Sequence, residues 1–163
     1  MSAVTTDRLD GAALAAWRSY LQSHASILRE LDAELVAAHG MTSRDYEVLL
    51  FLAQAPDRML PMSVLANSTM LTRSGITRLV DGLVGAGLIE RVSCSRDARI
   101  SYARLTDLGY EKLRQAGCTH IAGIERLFLK HFSPEEIDQL ASLLARLPGT
   151  SGAGSCSVGS EHE

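Results

Sequence analysis

Within residues 72–87 the chain carries an apolar repeat, Ile76, Leu79, Val80, Leu83 and Val84, at the i, i+3, i+4, i+7, i+8 spacing of one helix face. A strand alternates faces at every residue and cannot bury these five side chains together, so the repeat imposes a helix. Thr72 is placed to cap it, and Gly85 and Gly87 to end it. At about 100° per residue, Ser74, Thr77, Arg78 and Asp81 project from the face opposite the apolar one, and Arg73 lies near the boundary in the first turn. Before the helix, Ser68-Thr69-Met70-Leu71 reads as a turn. After it come two alternating, β-branched stretches, 88–93 and 100–105, separated by Ser95-Arg96-Asp97-Ala98-Arg99. That is the pattern of a hairpin with an arginine-bearing tip.

The flanks read as helices too. Over residues 11–38, Leu14, Trp17, Leu21, Leu28, Leu31 and Leu35 fall on a heptad seam, with His24 and Ala38 in the remaining seam positions. Gly40 is the expected stop, and Thr42 or Ser43 the N-cap of a second helix that buries Tyr46, Leu49, Leu50 and Ala53. Pro56 and Pro61 bracket an expected loop, and residues 62–67 a short helix. Thr106-Asp107 opens a helix reaching to about His131, with Tyr110, Leu113, Ile121, Ile124, Leu127 and Phe128 as apolar candidates. Ser133-Pro134-Glu135-Glu136 opens the last helix, with proline in the first turn and acids at the positive end of the dipole. Its stripe is Ile137, Leu140, Leu144 and Leu147. The Gly/Ser-rich residues 148–163 are expected to form a disordered tail.

Charge is distributed unevenly. The 163 residues sum to −3, yet residues 63–104 contain Arg73, Arg78, Arg91, Arg96, Arg99 and Arg104 against Asp81, Glu90 and Asp97, a local net of +3. An arginine-only basic segment on an acidic scaffold is the footprint of a polyanion partner, although a solvated surface of the same composition is the plain alternative. With 46% hydrophobic and 21% charged residues the chain can bury a core. Lacking an apolar run of the ~18 residues that a membrane span needs, and any basic-then-apolar leader, it is expected to be cytoplasmic with no membrane association. Cys94, Cys118 and Cys156 are odd in number and contain no C-x-x-C pair, so neither a disulfide framework nor a structural zinc site is expected.

Helix, tight turn, amphipathic helix and arginine-tipped hairpin, in that order, make a winged helix-turn-helix. The second helix of the pair suits the major groove, and its short polar side chains let the backbone approach base edges. The arginines at the hairpin tip suit the neighbouring minor groove, where negative potential concentrates. The expected DNA-binding residues are therefore Thr72, Arg73, Ser74, Thr77 and Arg78 on the helix and Arg96, Asp97 and Arg99 on the wing. Thr72, Ser74 and the helix N-terminal amides would hold phosphates, and Arg78 is the expected base reader, with Arg73 divided between base and phosphate.

The run from Leu65-Ala66 through Ser74-Gly75-Ile76-Thr77-Arg78-Leu79-Val80-Asp81-Gly82-Leu83, then Gly87-Leu88-Ile89-Glu90-Arg91, resembles the multiple-antibiotic-resistance regulator (MarR) family of bacterial transcription factors. So does the wing, Asp97-Ala98-Arg99 followed by Leu105-Thr106-Asp107-Leu108-Gly109. The resemblance implies a mainly α fold with a small β-hairpin wing, divided into a dimerisation helix at 10–40, a winged helix-turn-helix domain at 42–106 and dimerisation helices at 107–147. It implies a homodimer on an inverted-repeat double-stranded DNA operator, acting as a repressor released by a small aromatic or phenolic ligand. It also implies that Arg99 enters the minor groove and Asp97 orients it. Ala98 departs from the family, which often has a basic residue there, and a weaker wing contact is expected.

Other chemistries find little support. Gly82-Leu83-Val84-Gly85-Ala86-Gly87 follows a helix and precedes a strand, the reverse of a nucleotide-binding loop. There is no His-Glu-x-x-His, Gly-x-Ser-x-Gly or Walker lysine, so no enzyme and no cofactor are expected. Trp17, Tyr20 and His24 are candidates for an effector pocket, with Trp17 and His24 packing as seam residues against the partner as the default. His24, His39, His120 and His131 lack ligand spacing, and no metal is expected. Cys94, between Arg91 and Arg96, is the redox candidate, with a small strand-end residue as the default. A winged-helix module that binds an acidic protein surface is the rival function.

Overall fold

A computed structural model of the chain describes residues 11–69, 71–93 and 100–148. Four hydroxyl residues open helices in it. Thr42 caps α2 (Ser43–Gln54) in a reciprocal box with Asp45, Thr72 caps α4 (Arg73–Gly85), and Ser133 caps α6 (Pro134–Leu144) in a box with Glu136. The Thr106 hydroxyl accepts from the Gly109 amide at 3.0 Å and so opens α5 (Asp107–Leu127). Ahead of them runs α1 (Gly11–His39), closed by Gly40 at φ 64°, a left-handed position that suits glycine. The remaining elements are β1 (Met59–Pro61), α3 (Met62–Ser68), β2 (Ile89–Ser93), β3 (Ser101–Leu105) and two single 3₁₀ turns, Pro56–Arg58 and Leu129–His131.

The strands form one antiparallel sheet in the order β1-β3-β2, with Glu90 opposite Arg104 and Leu60 opposite Ala103. The fold is therefore mainly α with a small wing sheet. Its third strand lies in the segment that the prolines mark as a loop. Three residues are too few to show a period, and Pro61 is tolerated because β1 is an edge strand. The chain divides into two compact units after Ile124.

In the first unit the core gathers Leu35, Val48, Leu49, Leu52, Leu65, Ile76, Val80, Leu83, Ile89, Leu105 and Leu113. The repeat in α4 is inward as the sequence predicts. In α2 the fully buried residues are Val48, Leu49 and Leu52, while Tyr46, Leu50 and Ala53 pack at the margin. That helix touches α1, α3 and the sheet, so its apolar arc is wider than a single stripe. On α5 the contact residues are small. Gly109 and Gly123 are buried, and a Cβ at either would collide with Leu88 and Leu31 respectively. Tyr110 and Ile121, expected to be apolar contacts, are exposed. The helix stops at Leu127, short of the expected His131.

The seam of α1 is buried only in part. Leu31 and Leu35 are inside, whereas Trp17, Leu21 and Leu28 are 51%, 44% and 48% exposed. In the second unit α6 buries no residue; Ile137, Leu140 and Leu144 are half-buried and Leu143 and Leu147 exposed. Among the described residues no helix is long and apolar enough to cross a membrane.

Candidate nucleic-acid interface

The turn between α3 and α4 is locked from inside. Thr69 is buried, and its amide and hydroxyl both donate to the Leu65 carbonyl, at 3.1 and 2.9 Å. Its own carbonyl accepts from Arg44 Nη1 of α2 at 3.3 Å. Thr72 Oγ1 then accepts from the Gly75 amide at 3.1 Å and lies 3.2 Å from Ser74 Oγ. At the other end, the Leu88 amide bonds to the Leu83 carbonyl and the Gly87 amide to the Val84 carbonyl, both at 2.9 Å, with Gly87 at φ 73°. This is a Schellman closure. The Thr106 hydroxyl lies 2.8 Å from the Gly87 carbonyl and donates to it, so the cap of α5 also grips the turn that ends α4.

Between these two locks α4 presents Arg73, Ser74, Thr77, Arg78 and Asp81 along one shallow surface. Arg73 and Thr77 also border an adjoining cleft that reaches Ser63 of α3 and Ser101 of β3. The Thr77 hydroxyl donates to the Arg73 carbonyl at 2.8 Å, which commits its proton and leaves an acceptor lone pair and a methyl outward. Such a side chain suits an exocyclic base amine or a thymine methyl.

The basic segment sorts into two classes. Arg91 donates to Asp81 Oδ1 through Nε at 3.2 Å and Nη2 at 2.8 Å, and Arg104 Nε donates to Glu90 Oε1 at 2.6 Å. Arg73 and Arg78 have no hydrogen-bond or ion-pair partner among the described residues. The positive potential of α4 is thus concentrated on the two arginines that its outer face presents. The structure brings Thr72, Arg73, Ser74, Thr77 and Arg78 together on the first two turns of α4. The wing residues Arg96, Asp97 and Arg99, and with them Cys94, lie outside the described residues.

Trp17, Tyr20 and His24 form a ladder along α1, with centroids 6.1 Å apart at each step and interplanar angles of 30° and 23°. They are exposed side chains on one helix face. A second polar group stands where α1, α2 and α5 meet. His39 Nε2 is 2.7 Å from Thr119 Oγ1, and the His120 ring lies 4.7 Å from that of Tyr46. His120 Nδ1 and Ser43 Oγ are buried there without a partner among the described residues, and burial holds the His120 imidazole below its ordinary pKa. Among the described residues no group of three His, Cys, Asp or Glu side chains is placed to hold a metal ion.

A sequence model of the MarR family matches residues 39–100, the segment from the end of α1 to the start of β3. The crystal structure of AbsC, a MarR family transcriptional regulator from Streptomyces coelicolor, superposes with a TM-score of 0.80 at 30% identity, over 85% of this chain and 93% of that one. This chain belongs to the MarR family of transcriptional regulators. A second family member from Streptomyces coelicolor, Sco3205, whose structure was solved in complex with DNA, gives a TM-score of 0.80 at 30% identity over 87% of this chain and 89% of that one. The transcriptional repressor YetL of Bacillus subtilis is 30% identical over 111 residues, which are 68% of this chain and 66% of YetL.

Sequence reasoning on this MarR family chain missed the roles of Arg44 and Arg91. One of them left a trace in the sequence. Arg91 is two residues from the buried Ile89 and therefore on the same face of β2. Arg44 reaches a carbonyl 25 residues away, and no local pattern announces it.

Proposed function

We propose that this chain is a homodimeric, sequence-specific, duplex-DNA-binding regulator of transcription without a catalytic step, working in the cytoplasm. The observation that carries the reading is the outer face of α4, where Arg73 and Arg78 have no partner among the described residues and stand beside Ser74 and Thr77. Arg78 reads a base, for which a bidentate arginine–guanine pair discriminates by about 1–3 kcal/mol. Arg73 is divided between base and phosphate, and Thr72 and Ser74 set the register of the helix N-terminus on the backbone. Arg96, Asp97 and Arg99 act from the wing in the minor groove. The winged domain at 42–106 is flanked by dimerisation segments at 10–40 and 107–147. The two-fold axis puts the recognition helices about 34 Å apart on an inverted repeat.

The chain acts as a repressor, a role supported by its likeness to YetL, and is released by a small aromatic or phenolic effector that favours another separation of the two winged domains. Trp17, Tyr20 and His24 offer the π faces such a molecule stacks on. Fluorescence anisotropy with the DNA upstream of its own gene, against random duplex across a salt series, tests the reading. Specific binding with a steep negative log-log slope is expected. Equal, weak binding to both duplexes would redirect the search to an acidic protein partner. Trp17 is the single tryptophan, so quenching of its emission by candidate phenols and aromatic acids tests the effector site.

A further inference from the structure

Asp81 is anomalous in its setting. It follows Ser74, Thr77 and Arg78 at the i+7, i+4 and i+3 spacing that keeps all four on one face of α4, and it lines the same surface. An ionised carboxylate only accepts hydrogen bonds, while the phosphates are anions and most groups on the major-groove edge are acceptors too. The face that meets DNA therefore carries an anion. Arg91 answers it from the neighbouring strand. It shares a sheet face with the buried Ile89 and stands opposite the buried Ala103, so its side chain is aimed at α4, and two of its nitrogens converge on Asp81 Oδ1. The acid is the outer member of the pair, with its side chain 60% exposed against 33% for the arginine.

The other ion pair on β2 makes a useful contrast. Glu90 and Arg104 are register partners on the opposite face of the same two strands, so theirs is an ordinary cross-strand pair away from the recognition surface. Exposed ion pairs contribute little to folding, and stability alone is a weak reason for a two-nitrogen grip on an exposed carboxylate.

We infer that Arg91 is a positioning residue for DNA recognition, which neutralises Asp81 from behind and turns it away, so that α4 meets the groove as a cationic face. The inference rests on the DNA-binding reading above and assigns no base contact to either residue. It is tested with the full chain by anisotropy on the same upstream duplex, comparing wild type with Arg91→Gln, Asp81→Asn and the double variant, with thermal melting of each alongside. Arg91→Gln is expected to weaken binding roughly tenfold at low salt, with a deficit that shrinks as salt screens the exposed carboxylate. Adding Asp81→Asn to it is expected to restore affinity to within about twofold of wild type, because the anion is gone and the net charge of the pair is again zero. Asp81→Asn alone is expected to bind more tightly than wild type. A double variant as weak as Arg91→Gln would overturn the inference and make the bridge a packing device. Asp81→Asn binding as weakly as Arg91→Gln would overturn it in favour of a carboxylate that reads a base amine. Wild type that does not prefer its own upstream duplex would overturn the parent reading and this one with it.

Discussion

Two helices of this chain carry apolar stripes and treat them in opposite ways. In α4, Ile76, Val80 and Leu83 are buried within the chain, and the outer face is left to arginine, serine and threonine. On α1, Trp17, Leu21 and Leu28 remain about half exposed, and the stripe goes inside only at Leu31 and Leu35. A stripe that its own chain covers is a folding device. A stripe left open on a long helix is material for assembly, since contiguous exposed apolar surface marks an interaction site. The homodimer proposed for this chain supplies the expected occupant, a second copy.

The sharpest way to break the contrast is to cut both stripes. Ile76→Ala is expected to lower the unfolding free energy in urea by about 2–5 kcal/mol, as large-to-small changes in a packed core do. Leu21→Glu with Leu28→Glu is expected to leave the winged unit folded and to shift the chain from dimer to monomer in sedimentation equilibrium. If that pair cost as much folding stability as Ile76→Ala and left the mass unchanged, the stripe would be core after all. On the outer face of α4, Arg78→Ala is expected to lose about 1–3 kcal/mol of specific binding by anisotropy, with an unchanged melting temperature. Thr72→Ala removes the cap that holds the Gly75 amide and is expected to cost about 1 kcal/mol in urea unfolding.

The smallest effect concerns the junction of α1, α2 and α5. Burial lowers the His120 pKa in the folded chain, so between the folded value and the ordinary 6.5 the unfolded chain binds more protons. Stability therefore rises with pH through that window, falls as pH drops through it, and takes no further slope from this group below it. Urea unfolding at several pH values is expected to show this slope, and His120→Gln is expected to flatten it. An unchanged slope in the variant would place the acid sensitivity elsewhere.

Much of this was legible in the sequence. The caps at Thr42, Thr72, Thr106 and Ser133, the stops at Gly40 and Gly87 and the inward face of α4 are all local. Each depends on residues within about one helical turn, and a hydroxyl, a missing Cβ or a 3.6-residue period acts there whatever the rest of the chain does. The tertiary structure decided what depends on distant partners. It made a strand of Met59–Pro61 by setting it beside β3, buried only Leu31 and Leu35 of the α1 seam, and chose Val48 and Leu52 on α2. It also divided the arginines. Arg91 and Arg104 have the same charge as Arg73 and Arg78, yet the first two are held by acids 10 and 14 residues away and the last two face outward. Composition counts a charge, but whether that charge is free for a ligand depends on which acid the folded backbone brings to it.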